Sequence, residues 1–365
     1  MQGALTIAHV DGERGFSGGQ VQVFLLLRGL ADRGHRNVLC CPPGSKQEAR
    51  ARELGIETVG VSMRNDLALG AAGKLKRAFL ERGADLVHLH TGRANWLGGL
   101  GAWRAGLPAL TTRRMDHPVK RHLVNRLVYG RFVRHAVGIA PAVTEHLRQA
   151  GVPEEKLSTI WSAVDPEALR PREGRAAMRR ALGVDEETIL VLSSAHLSRR
   201  KGLDVALEAL ARVDHTPRWR LLVAGDGPEL PTLQSQATAL GLEHRVRFLG
   251  RRDDVPDLLA AADVFLLPSR SEGLGIAALE AMAAGRPVVA SEVGGLAQAV
   301  VSERTGLLVP PEDPAALAAA LDRLLRDAEL RASLGAEGPR RIDEGFRADQ
   351  MVAAYETLYG QLLGR

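Results

Sequence analysis

The chain has 365 residues, 45% hydrophobic, 25% charged and only 4% aromatic. This excludes a disordered chain, a fibrous repeat and a disulfide-stapled mini-protein. It predicts two to three domains with cores built mostly from Ala, Val and Leu. The net charge of +5 is unevenly placed: residues 1–170 hold 24 basic and 15 acidic side chains, residues 171–365 hold 24 and 28. Only 6 of the 48 basic residues are Lys, a preference that a GC-rich genome would produce, but such a genome would not produce the asymmetry. A basic first half calls for an acidic partner: nucleic acid, an anionic membrane surface or an acidic small molecule. Cys40 and Cys41 are the only cysteines and lack metal-ligand spacing, a reduced, cytosolic pattern. No apolar run reaches the roughly 18 residues of a membrane span, and no signal peptide is read, so a cytoplasmic location is expected.

In chain order, short apolar runs alternate with helical stretches. The first half predicts strands at Leu5–Val10, Asn37–Cys41, Ile56–Val61, Asp85–His90, Ala109–Arg113 and Ala136–Ala140. Gly18–Arg33 and Val119–Arg134 read as helices. The second half repeats the plan at Ile189–Ser193, Arg220–Ala224, Val246–Leu249, Val264–Pro268, Pro287–Ala290 and Gly306–Val309. Helices Pro314–Leu334 and Ala348–Leu363 close the chain. Such alternation predicts α/β architecture with parallel sheets. Breaks around Asp165-Pro166, Pro171 and Gly174 place the joint there. The expected domains are 1–165 and 166–345, followed by a final helix over 346–365.

Ligands of open α/β sheets bind at the carboxyl ends of strands. The richest such turn is Pro268–Gly275, where Glu272, Gly273, Leu274 and Gly275 lead into an Ala-rich helix carrying Glu280. Free N–H groups at a helix start favour an anion, and glycines let a ligand approach the backbone. A carboxylate is a pure acceptor and suits sugar or ribose hydroxyls. Capping by Glu272 and solvation of Glu280 would be the plain alternative, but Glu280 lies in an apolar run. Ser198-Arg199-Arg200-Lys201-Gly202 ends another strand with three cations, fit for a diphosphate or merely an exposed basic turn. Gly15–Gln20 and Gly225–Pro228 are glycine turns after strands that lack a full dinucleotide or P-loop pattern. Arg113, Arg114, Asp116 and His117 combine cations with acid/base groups at a further strand end. His88 and His90 share one strand face, but no third ligand is apparent, so no metal site is expected.

Taken together, Ala262–Ser269, Glu272–Gly275 and Glu280–Ala290 resemble the retaining glycosyltransferases of family 4. So do Ala224–Pro228, Gly294-Gly295, Thr305–Val309, and Ser17–Gln20 with Gly34-His35. The resemblance implies a GT-B fold: two Rossmann-like doubly wound domains facing across a cleft. The first would take the acceptor and the second a nucleotide-sugar donor, with the last helix crossing back to the first domain. It implies Glu280 on the ribose, Glu272 on the donor sugar and Lys201 on the diphosphate, lined also by Gly18 and Gly19. Gly250 and Arg251 would border the base. The sequence departs from the family where His196 stands for an arginine, so Arg199 or Arg200 would substitute. It departs again where Arg113 or Arg114 replaces the usual acceptor-side His, and where Ser162-Ala163 replaces Asn-Gly.

The expected reaction is sugar transfer from a UDP- or GDP-sugar to an acceptor hydroxyl with retention, in cell-envelope glycan, lipopolysaccharide or glycolipid synthesis. Catalysis would rest on positioning and charge stabilisation by Lys201 and Arg200. No D-x-D triplet occurs, and no metal or other cofactor is expected. Expected partners are the donor, a sugar or lipid-linked acceptor, and an anionic membrane surface. For the last, Arg113–His135 offers a basic amphipathic helix, with a solvated helix face an equal reading. A sugar-nucleotide epimerase is the enzyme alternative. A nucleic-acid-binding protein is the non-enzyme one, disfavoured by scarce stacking aromatics and the lack of RNP-like or zinc patterns.

Overall fold

A computed structural model describes residues 3–120, 122–214 and 217–365. The chain forms two compact units. One runs up to Ala163 and takes in Ala348–Arg365; the other is Val164–Arg347.

The first unit holds a seven-stranded sheet, entirely parallel, in the order β3-β2-β1-β4-β5-β6-β7. Its strands are β1 (Thr6–Val10), β2 (Arg36–Cys41), β3 (Glu57–Gly60), β4 (Leu86–Leu89), β5 (Ala109–Arg113), β6 (His135–Gly138) and β7 (Leu157–Thr159). The central strands are buried on both faces, which is why they read as continuous apolar runs. Chain order reverses between β1 and β4, and their carboxyl ends open the crevice of this unit. His9 of β1 pairs in register with His88 of β4. Helix Ala348–Leu362 packs Val352, Tyr355 and Tyr359 into the cluster that holds Leu26 and Leu30 of helix Gly18–Asp32. The approach is close: a Cβ at Gly29 would stand 2.5 Å from Val352 Cγ2. Gln22 fixes the end of the unit, donating to Ala163 O and accepting from its N–H, both at 2.8 Å.

The second unit holds a six-stranded parallel sheet in the order β10-β9-β8-β11-β12-β13. Its strands are β8 (Ile189–Ser194), β9 (Trp219–Ala224), β10 (Val246–Gly250), β11 (Val264–Leu267), β12 (Val288–Ser291) and β13 (Gly306–Val309). The reversal here falls between β8 and β11. The loops leaving those two strands carry residues 195–202 and 268–275, so topology alone brings the two strongest motifs together.

Three expectations are corrected. Edge strand β7, only three residues long, is too short to stand out in the apolar pattern and adds a seventh strand to the six expected. The helix expected over Val119–Arg134 is a short α-helix, Leu123–Leu127, continued by a wide π-turn over Val128–Phe132. Val128 and Phe132, read as part of an amphipathic membrane face, are buried in the core instead; Arg121 of that stretch lies outside the described residues. Pro314–Leu334 is two helices, Pro314–Arg326 and Ala328–Gly345, because Asp327 caps the second by accepting from Leu330 N–H at 2.8 Å. Among the described residues, no helix is long and apolar enough to cross a membrane.

Candidate active site

In the second unit, Ser198–Gly202 folds as a 3₁₀ turn that packs on the loop after β11. Arg270 ties the two together. Its backbone N–H donates to Arg200 O at 2.8 Å, and its guanidinium grips both oxygens of Asp204 at 2.7 Å and reaches Arg199 O at 2.7 Å. This bidentate clamp holds the cationic turn against Glu272.

Glu272 is buried and at the centre of the cluster. Lys201 Nζ donates to its Oε1, Ser269 Oγ donates to the same oxygen at 3.0 Å, and Arg200 reaches Oε2 at 3.2 Å. Burial pushes the Glu272 carboxyl up, but the charges of Lys201 and Arg200 outweigh it and hold the group ionised. The sequence reading gave Lys201 and Glu272 separate duties. The structure makes them one ion pair, so a ligand drawing on either rearranges both. Gly273, Leu274 and Gly275 are buried beside it. Gly275 has φ +83° and its Cβ would meet Leu296 Cδ1 at 2.8 Å, so the helix start at Ile276 needs glycine.

Glu280 stands on that same helix, half-buried, and its carboxyl has no hydrogen-bond or ionic partner among the described residues. Burial alone raises its pKa to about 7. Such a carboxylate is poised for hydroxyl donors. Gly250 adopts φ +66° at the end of β10 and accepts from Gly225 N–H at 2.8 Å. Arg251 and His196 are exposed.

In the first unit, Gly18 and Gly19 open the 15-residue helix after Ser17, whose N–H and hydroxyl both donate to Gln20 Oε1. Arg114 lies against Gly19, where a Cβ would be 3.7 Å from its Cδ. Arg113 donates to His117 O. Asp116 is engaged by His146 Nε2 at 3.0 Å, while the His117 side chain is exposed.

Spacing alone hid one feature. His9 brings a third ring beside His88 and His90, and ring nitrogens of the three lie within 4.8 Å of one another. The sequence objection to a metal there, a missing third ligand, therefore falls. A different objection replaces it: every one of the six ring nitrogens already faces a protein partner, and the Arg114 guanidinium sits alongside. Burial drives His9 down to about 3 and holds His88 and His90 well below 6.5, so all three are neutral.

Two parallel α/β units, each with ligand-type loops at its switch point, are the GT-B fold. Solved structures bear this out. The chain matches the structure of Anabaena HepE in complex with UDP at TM-score 0.89, 22% identical over 98% of this chain and all of that one. It matches WaaG, a glycosyltransferase involved in lipopolysaccharide biosynthesis, at TM-score 0.73, 20% identical over 98% of this chain and all of that one.

Residues 16–168 match the model of Glycosyltransferase Family 4 and residues 174–341 that of Glycosyl transferases group 1. A D-inositol 3-phosphate glycosyltransferase of Saccharomonospora viridis is 33% identical over 78% of this chain and 72% of its own length. An N-acetyl-alpha-D-glucosaminyl L-malate synthase of Bacillus anthracis is 31% identical over 58% of this chain, and the match spans only 55% of that relative. The chain belongs to the family 4 glycosyltransferases.

Proposed function

We propose that this glycosyltransferase takes a sugar from a nucleoside diphosphate sugar and transfers it, with retention, to an acceptor hydroxyl. The observation that carries the reading is the Lys201–Glu272–Arg200 cluster beside the unpartnered Glu280 at one switch point. Glu280 takes the ribose hydroxyls, Glu272 the donor-sugar hydroxyls, and Lys201 with Arg200 the diphosphate. Backbone around Gly273, Leu274 and Gly275 adds N–H donors. Gly18 and Gly19 line the diphosphate; Gly250, Arg251 and His196 border the nucleotide. Charge building on the leaving diphosphate is met by Lys201, Arg200 and the helix start, the role a metal ion fills elsewhere, so no metal or cofactor is required. The leaving phosphate takes the acceptor proton. Arg113, Arg114, His117 and the His146-bound Asp116 form the acceptor side. Structures of HepE with UDP and with UDP-glucose support a UDP-sugar donor.

A cell-envelope acceptor is supported by a 31% identical relative, the lipopolysaccharide core biosynthesis mannosyltransferase LpsB of Rhizobium meliloti. Peripheral contact of this cytoplasmic enzyme with an anionic membrane is supported by a 360 Å³ hollow. Lys120, Arg126 and Lys156 line it, and Leu123, on the same short helix as Arg126, is exposed. A lack of sedimentation with anionic vesicles at low salt would end that part.

The donor reading is tested by thermal shift with UDP-, GDP- and ADP-sugars, since only a bound donor stabilises the fold. Transfer is then compared in Lys201→Ala and Glu272→Ala. Unchanged rates in both variants would remove the site assignment.

A further inference from the structure

The end of β5 carries a cation that no carboxylate of the described residues contacts directly. Arg114 is half-buried, and among the described residues no carboxylate forms an ion pair with it. Asp11, whose charge it feels, accepts instead from Glu13 N–H at 3.0 Å and Gln20 Nε2 at 3.3 Å. Among the described residues, Arg114 makes only long side-chain hydrogen bonds, to the carbonyl oxygen and the Nδ1 of His90, each at 3.4 Å. Its Nε is buried with no partner. A cation so placed is costly unless an anion meets it.

The histidines behind it form a chain whose direction is fixed. Asn37 Nδ2 donates to Leu27 O at 2.9 Å, so Oδ1 is the atom left facing His9. His9 must then carry its proton on Nε2, donating across 3.1 Å. A neutral imidazole has one donor and one acceptor. His9 Nδ1 is therefore bare and accepts from His90 Nε2 at 3.0 Å, the two rings nearly parallel at 6°. That leaves a lone pair on His90 Nδ1, and it is this atom that faces Arg114. The opposite tautomer, or an imidazolium, would set N–H against N–H. Beside Arg114 lies the start of helix Gly18–Asp32, itself a partial positive pole.

We propose that Asn37, His9 and His90 are positioning residues that set Arg114 as an anion-binding group, and that the acceptor carries a phosphate or carboxylate which Arg114 takes. This rests on the glycosyltransferase reading above and narrows its acceptor class.

Two measurements test it. The first needs no variant: long-range ¹H–¹⁵N spectra of the histidine rings at pH 7, with metal analysis of the purified protein. Neutral Nε2–H forms of both His9 and His90 are expected. A proton on His90 Nδ1, or stoichiometric zinc, would overturn the proposal. The second is titration with inorganic phosphate, and separately with malonate, on protein saturated with UDP so that the donor site is filled. Arg114→Gln and His90→Leu should weaken anion binding about tenfold or more, the scale of a lost hydrogen bond to a charged group. His90→Asn should retain it within about threefold, because its amide oxygen reaches the position of Nδ1. Which of the two anions binds tells phosphate from carboxylate. Neither anion binding the wild type, or equal affinity in all variants, would overturn the proposal. Failure of UDP itself to bind counts against the donor reading instead.

Discussion

Gly202 and Pro268 touch backbone to backbone: a Cβ at 202 would stand 1.9 Å from the Pro268 carbonyl oxygen. Gly202 also sits at φ +65°, where L side chains are strained. Through this contact the turn bearing Lys201 and the loop bearing Glu272 share one position. Gly202→Ala is expected to cost about 3 kcal/mol or more, since neither backbone can yield without moving a strand end. Gly345→Ala in the same unit, with nothing within 4 Å, should change stability by at most about 1 kcal/mol. Urea unfolding of the two variants measures the difference, and equal midpoints would contradict the close packing.

Lys201 and Glu272 should behave as a coupled pair. Removing either leaves a desolvated charge, so each single variant, Lys201→Met and Glu272→Gln, is expected to destabilise the second unit. The double variant should cost less than the sum, with a coupling of about 2–3 kcal/mol. Transfer should fall at least about 100-fold in each single variant and hardly further in the double. Additive losses in stability would mean that the pair is screened and weak.

Much of this was legible in the sequence, for a physical reason. Parallel strands buried on both faces must be apolar throughout, so Val264–Leu267 and Val288–Ser291 announce themselves. Glycine turns after them mark where the backbone must bend or be approached. What spacing cannot show is which turns meet. Lys201 and Glu272 are 71 residues apart, and His9 and His90 81 apart. Their contacts follow from β8 lying beside β11 and β1 beside β4. The basic stretch after Pro118 misled for a related reason. Its apolar residues fit helical spacing, yet Val128 and Phe132 serve the core of the unit rather than an outer face.

Arg179 is an internal strut that no motif flagged. It is buried, and its guanidinium donates to Ala261 O at 2.9 Å, to Asp185 O at 2.6 Å and to Thr188 O, with Asp263 Oδ2 at 3.2 Å. A lysine cannot span these acceptors, because they lie around a planar fork. Arg179→Lys and Arg179→Ala should both destabilise, the latter by about 2–3 kcal/mol, by taking the guanidinium donors from the Asp185 and Thr188 carbonyls, while Arg175 still holds Asp263 and Ala261 O. A thermal-unfolding midpoint unchanged by Arg179→Lys would show that the charge matters and the fork does not.

Glu280 ties stability and function to pH with opposite signs. Burial raises its folded pKa from 4.5 to about 7. Between those values the folded state keeps a proton that the unfolded state has lost, so this group's contribution to stability falls as pH rises through the window. Glu280→Gln should match the wild type near pH 4.5 and exceed it above pH 7 by about 1–2 kcal/mol, a midpoint rise of roughly 2–6 °C. Nucleotide binding should move the other way. The ionised carboxylate is the better acceptor for two hydroxyls, so UDP affinity of the wild type should weaken as pH falls below 7. The glutamine variant should bind about tenfold more weakly above pH 7 and show no such titration. Calorimetric titration of UDP between pH 5.5 and 8.5 reads both effects. A flat wild-type profile alongside unimpaired binding by the variant would take Glu280 out of the nucleotide site.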